Sequence, residues 1–196
     1  MDWSVLGETF VTLIVIMDPV GVAPIFIAMT REMSAGERQR AAVRATVAAG
    51  VLVIGFALVG RALFDYLDVS LESLSIAGGL LLLLVALEML RGMDSEPSGE
   101  DADVALVPLA TPLVAGPGAI ATVIILSEQN SSAAGRGGVI LGIVSALLTV
   151  FVVLLLAERL GRVLPASLIS FLTRVFGLLL SAIAVQLVVD GVRGLV

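Results

Sequence analysis

The chain has 196 residues, 59% hydrophobic and only 14% charged, with a formal net charge of −6, whereas an ordinary soluble domain carries about 25% charged residues. A soluble domain of this length has too little interior to hide that much apolar side chain, so the composition points to one compact bundle embedded in a membrane. Cysteine and histidine are absent and all 11 cations are arginine, which excludes disulfides, thiol redox chemistry, thiolate or imidazole metal ligands and any Ser–His or Cys–His nucleophile.

A bilayer core of ~30 Å takes ~20 apolar residues as helix. Six stretches qualify: residues 9–30, 45–64, 73–89, 104–126, 139–157 and 172–189. They are too long, and too little alternating, for barrel strands. Backbone groups in lipid must be satisfied within their own segment, so each stretch is predicted as helix. The expected fold is all-α, a polytopic membrane bundle of six transmembrane helices. The first stretch has an acidic flank and no convincing cleavage site, so it reads as a span, not a signal peptide.

In chain order, the first span is interrupted by DPVGVAP, residues 18–24, which sets Asp18, Pro19, Gly21 and Pro24 near its centre. Arg31, Arg38, Arg40 and Arg44 follow it, and Arg61 lies at the far end of the second span. Glu88 and Arg91 close the third, where Glu88 could pair with Arg91 or reach the interface. DSEPSGEDAD, residues 94–103, reads as an acidic cytoplasmic linker. The fourth span carries TPLVAGPG, with Thr111, Pro112, Gly116, Pro117 and Gly118. Arg159, Arg162 and Arg174 separate the fifth span from the sixth. Eight arginines thus fall on one side, while Arg61, Arg136 and Arg193 fall on the other. The arginine-rich side is expected in the cytoplasm, with both termini extracytoplasmic, in a cell (inner or plasma) membrane. Small residues such as Gly78, Gly79, Gly138 and Gly142 are expected to permit close helix packing.

The spacing Pro-x4-Pro occurs twice, Pro19 with Pro24 and Pro112 with Pro117, at an offset of 93 residues. GLLLLLVALE, residues 79–88, weakly resembles GLLLSAIAVQ, residues 177–186, at an offset of 98. The chain therefore divides into two three-helix repeats, 1–93 and 104–196, joined by 94–103. Three spans is an odd number, so the second repeat is inverted. Proline- and glycine-interrupted spans at corresponding positions of two such halves point to a transporter's binding site.

Proline lacks an N–H and clashes with the carbonyl one turn back. Each pair, with its glycines, is expected to unwind about a turn, freeing carbonyls on one side of the break and N–H groups on the other. Such ends attract a cation and an anion respectively, which suits a small zwitterion. The simpler alternative is a kink in each span. Asp18 is ionisable at mid-membrane, where such a group is a functional hypothesis by default. It could accept a substrate ammonium or carry a proton; a permanently protonated helix cap is the structural alternative. Thr111 occupies its counterpart position as a neutral capping hydroxyl.

DPVGVAPIF and PLATPLVAGPGAIATVI, residues 108–124, with the IAGG that begins the third span and the MLRG that ends it, resemble the signature segments of the MarC family. The resemblance covers essentially the whole chain. The family commonly has Asn where this chain has Asp18, and an Asn could cap or bind but not carry a proton. The resemblance implies kinship with LysE-like exporters and transport of small neutral amino acids. It carries the motif roles onto Asp18, Pro19, Gly21, Pro24, Thr111, Pro112, Gly116, Pro117 and Gly118.

The expected function is a secondary transporter of glycine- or alanine-like amino acids, working by alternating access. No nucleotide-binding loop occurs, so any energy input comes from an ion gradient or from the substrate's own gradient, with protons through Asp18 the first choice and Na⁺ through exposed carbonyls the second. No cofactor is implied, nor any nucleic-acid partner; a homo-oligomer is compatible. The alternatives are a transporter or channel for another small solute, an exporter of metabolites, and an intramembrane enzyme, which would want a second acid where Thr111 stands.

Overall fold

The computed structural model describes the backbone of residues 2–91, 115–163 and 165–195. The regular elements among them are helices: α1 (Trp3–Met17), α2 (Pro19–Met29), α3 (Ala35–Tyr66), α4 (Leu71–Arg91), α5 (Pro117–Gln129), α6 (Ala133–Val163) and α7 (Ala166–Leu195). Five stretches are long and apolar enough to cross a bilayer, with α1 and α2 together forming the first, and residues 118–129 are a shorter apolar helix. The linker 94–103 and the first part of the expected span 104–126 lie outside the described residues.

Several helices outrun the apolar runs that announced them. α3 was expected over 45–64 but starts at Ala35. Ser34 caps it: its hydroxyl accepts the Glu37 N–H at 3.4 Å, and the Glu37 carboxylate accepts the Ser34 N–H at 2.8 Å. This reciprocal box fixes a start in polar sequence. In the same way the Asp2 carboxylate accepts the N–H groups of Ser4 and Val5 and starts α1 six residues before the apolar run. Apolar length marks where lipid begins, whereas capping marks where the helix begins.

Helix directions alternate. α4 and α7 form the most extensive contact and run antiparallel, with glycines at the crossing. A methyl on Gly79 would come within 2.6 Å of the Ala184 carbonyl oxygen, and one on Gly191 within 2.7 Å of the Glu72 carbonyl. α1 runs parallel to α6, where Gly138 and Gly142 meet Val5 and Thr9. α3 lies parallel to α5 through Gly60 on Ile124, and antiparallel to α6 through Gly50 on Leu147. One core cluster joins α1, α2, α3, α5 and α6 through Leu13, Phe26, Val53, Val123 and Ile143. A second joins α4 to α7 through Leu82, Ala86, Leu180 and Ala184.

Val51, Leu58, Leu84, Leu148 and Leu178 are left largely exposed, which suits a surface facing lipid tails. The chain's only Trp and only Tyr, Trp3 and Tyr66, are both exposed and stand at the same end of the bundle. Amphipathic rings of this kind anchor the membrane–water interface. Arg31, Arg38, Arg40, Arg44, Arg91 and Arg159 belong to the opposite end.

Candidate functional site

The first interrupted span breaks at one residue. α1 ends at Met17, Asp18 adopts a left-handed conformation with φ 34° and ψ 67°, and α2 starts at Pro19. The expected unwound turn is not there, and the local chemistry explains why. The Asp18 N–H still donates to the Ile14 carbonyl at 3.1 Å, and the Asp18 carbonyl accepts the Val22 N–H at 3.0 Å. Pro19 takes the first helical position, where a missing N–H costs least. A left-handed non-glycine residue is uncommon, and Asp tolerates it better than most because its side chain can bond locally. Here Oδ1 accepts the Gly21 N–H at 3.1 Å. The break also changes the backbone pattern: Pro19 has no N–H to offer the Val15 carbonyl, and Gly21 gives its N–H to the Asp18 carboxylate.

The Asp18 side chain lies inside the protein, 7% exposed. Gly21 makes room for it. A methyl there would stand 2.1 Å from Asp18 Oδ2 and 3.1 Å from Thr173 Oγ1. The Thr173 hydroxyl, on α7, stands on the same side of Gly21 as the carboxyl. The site therefore brings together a carboxyl, a hydroxyl from the last helix and the Gly21 backbone N–H, at a break in a buried, otherwise apolar stretch. Such a set can hold a cationic or hydrogen-bonding group of a small solute.

The other expected residues are placed as follows. Pro19 is buried at the break. Pro24 sits inside α2 with its ring exposed, away from Asp18. Gly116 is the extended N-cap of α5, and Pro117 its first residue. Corresponding prolines thus differ in setting, Pro24 within a helix and Pro117 at a helix start. Gly118 is buried against α4, where a methyl would meet Leu82 Cδ2 at 2.1 Å, so the two helices approach closely there. Thr111 and Pro112 lie outside the described residues. Ala115 and Ala119 share the core cluster of Met17, Val22 and Ala23, so the second motif adjoins the first through α1.

Thr173 was not singled out in the sequence. A signal was available: at the 98-residue offset it corresponds to Ser75, and both lie four residues before the matched glycines, in LSIAGG and LTRVFG. Ser75 is buried in α4, its hydroxyl donating to the Leu71 carbonyl at 2.8 Å. Glu88 and Arg91 are both exposed and form no ion pair with each other among the described residues. Arg61, at the far end of the second span, bridges Glu128 on α5 and Asp65 on its own helix.

Residues 3–196 match the family described as MarC family integral membrane protein. The chain is 37% identical over 206 aligned positions to the UPF0056 membrane protein MJ1677 of Methanocaldococcus jannaschii, covering 99% of this chain and 98% of that one. It is 35% identical to the UPF0056 inner membrane protein YhgN of Escherichia coli, covering 93% of each. It is 28% identical to the UPF0056 membrane protein YvbG of Bacillus subtilis, over 100% of this chain and 97% of that one. No solved structure matches the chain.

Proposed function

The chain belongs to the MarC family of integral membrane proteins, and from that premise we propose that it is a secondary transporter of small neutral amino acids. The observation that carries the reading is Asp18, a buried carboxyl at a one-residue break between two half-helices, faced by the Thr173 hydroxyl. A strained, polar, glycine-accommodated break deep in an apolar bundle has no packing benefit, and such features gather at binding sites. In this reading the substrate ammonium meets the carboxyl. The crowding at Gly21 favours ligands of glycine or alanine size.

Alternating access in this reading rests on two inverted halves of three spans each. Support comes from the α4–α7 crossing. Gly79 lies against the Ala184 carbonyl and Val188, while Gly177 lies against the Ala86 carbonyl and Leu90. Each contact becomes the other at the same 98-residue offset that aligns the two apolar runs, as a two-fold axis in the membrane plane requires. The helix pairs agree: α2 beside α6 corresponds to α5 beside α3, and α2 beside α7 to α5 beside α4. The proposed location is the cell membrane, the name of the Escherichia coli relative being that of an inner membrane protein. Protons are the proposed coupling ion, because Asp18 is the ionisable group at the break.

Counterflow of labelled glycine and alanine in proteoliposomes, competed with unlabelled amino acids, tests the substrate class. Saturable exchange limited to small neutral amino acids is expected. Its absence from folded, inserted protein would remove the amino-acid reading and leave another small solute.

A further inference from the structure

The two half-helices that follow the broken motifs, α2 and α5, run to opposite ends of the bundle. Each has its outer end tied to the same helix, α3. At one end Arg38 donates through Nη1 to the Glu158 carboxylate on α6 at 2.6 Å, and through Nη2 to the Thr30 carbonyl, just past the end of α2, at 3.3 Å. One guanidinium thus clasps α2, α3 and α6, and its side chain is only 21% exposed. At the other end Arg61 binds the Glu128 carboxylate in the last turn of α5, as well as Asp65. Both contacts suit helix physics, since a cation near a helix C-terminus complements the carbonyl end of its dipole.

Span length does not require this arrangement. Arginines at span ends normally reach outward into water, and Arg44 does stand exposed. Arg38 and Arg61 each pair with groups at the end of a half-helix, Arg38 largely shielded and Arg61 still 54% exposed. α2 is held at its inner end by the Asp18–Gly21 bond and at its outer end by Arg38. The one-residue break at Asp18 is the only interruption between α1 and α2, so rotation about it swings the Thr30 end away from α6. That motion must break the Arg38 clasp. At the opposite end, α5 leaves α3 only when Arg61 releases Glu128.

We propose that Arg38 and Arg61 are the two gate latches of the transporter, one per membrane face, both closed in this conformation. This rests on the alternating-access reading of the Asp18 site but not on the identity of the solute. Each latch holds one half-helix, so loss of one opens the site to one face only.

The natural absence of cysteine gives a clean test. Val22→Cys places one thiol at a buried position one helical turn from Asp18, and its labelling by a membrane-impermeant maleimide is measured from each face of oriented vesicles. Arg38→Gln is expected to raise labelling severalfold from the Arg38 face alone, and Arg61→Gln severalfold from the Arg61 face alone. Unchanged labelling in both variants, or a rise from both faces in either, overturns the proposal. Should Arg38→Gln not fold, Glu158→Gln removes the same ion pair and carries the same expectation. Failed amino-acid counterflow with one-sided labelling would remove the solute assignment and leave the latches standing.

Discussion

At the scale of the residue, the chemistry converges on Asp18. Its left-handed backbone, its bond to the Gly21 N–H and its burial are one device: the carboxyl caps the half-helix that begins beside it, and Gly21 lacks the side chain that would displace it. The same carboxyl faces Thr173, so one oxygen serves the fold and the other is available to a ligand or a proton. Asn retains an acceptor oxygen for the Gly21 N–H but carries no ionisable proton. Asp18→Asn is therefore expected to fold, to keep amino-acid counterflow and to lose accumulation driven by an acid gradient. Uptake measured with and without that gradient checks this; undiminished accumulation would sink proton coupling. Relatives with Asn at this position, as the family resemblance suggests, would then differ in coupling and not in cap geometry.

At the scale of the element, glycine decides how closely helices approach. Without water between them, helices in lipid associate by close packing, which favours small residues at the contact. On α4, a methyl at Gly79 meets a backbone oxygen at 2.6 Å and the Val188 side chain at 2.8 Å. At Gly177 on α7, the equivalent methyl finds its nearest atom, Met89 Cβ, at 3.0 Å. A backbone carbonyl cannot move aside as a side chain can. Gly79→Ala should lower stability by about 1–3 kcal/mol, the usual cost of overpacking, and Gly177→Ala by less. Thermal unfolding of both variants in detergent measures the order; equal melting temperatures would mean that the α4–α7 crossing adjusts freely.

At the scale of the whole molecule, charge and aromatic placement give the bundle its polarity. The arginine-rich end lies opposite Trp3 and Tyr66, and the orientation expected from the arginine count puts it in the cytoplasm. A single cysteine introduced in the 31–34 segment between α2 and α3 is expected to react with an impermeant reagent only from the cytoplasmic side. Reaction only from outside would invert the topology and exchange the faces assigned to the two latches, without altering which half-helix each one holds.

Composition and apolar run length were enough to determine a multi-pass helical membrane protein, because a bilayer demands ~20 apolar residues per crossing whatever the helices pack against. The motif spacing also located the break at Asp18 and the small residues that meet at helix crossings. Tertiary structure decided the rest. The extent of the break depended on whether Asp18 could keep its backbone bonds, so a single left-handed residue replaced the expected turn. Pro24 points outward and Gly118 packs on Leu82 because helix rotation, which spacing alone does not reveal, sets the direction of each side chain. Thr173 and the partners of Arg38 and Arg61 come from helices distant in the chain, and only packing brings a hydroxyl at residue 173 to a carboxyl at residue 18.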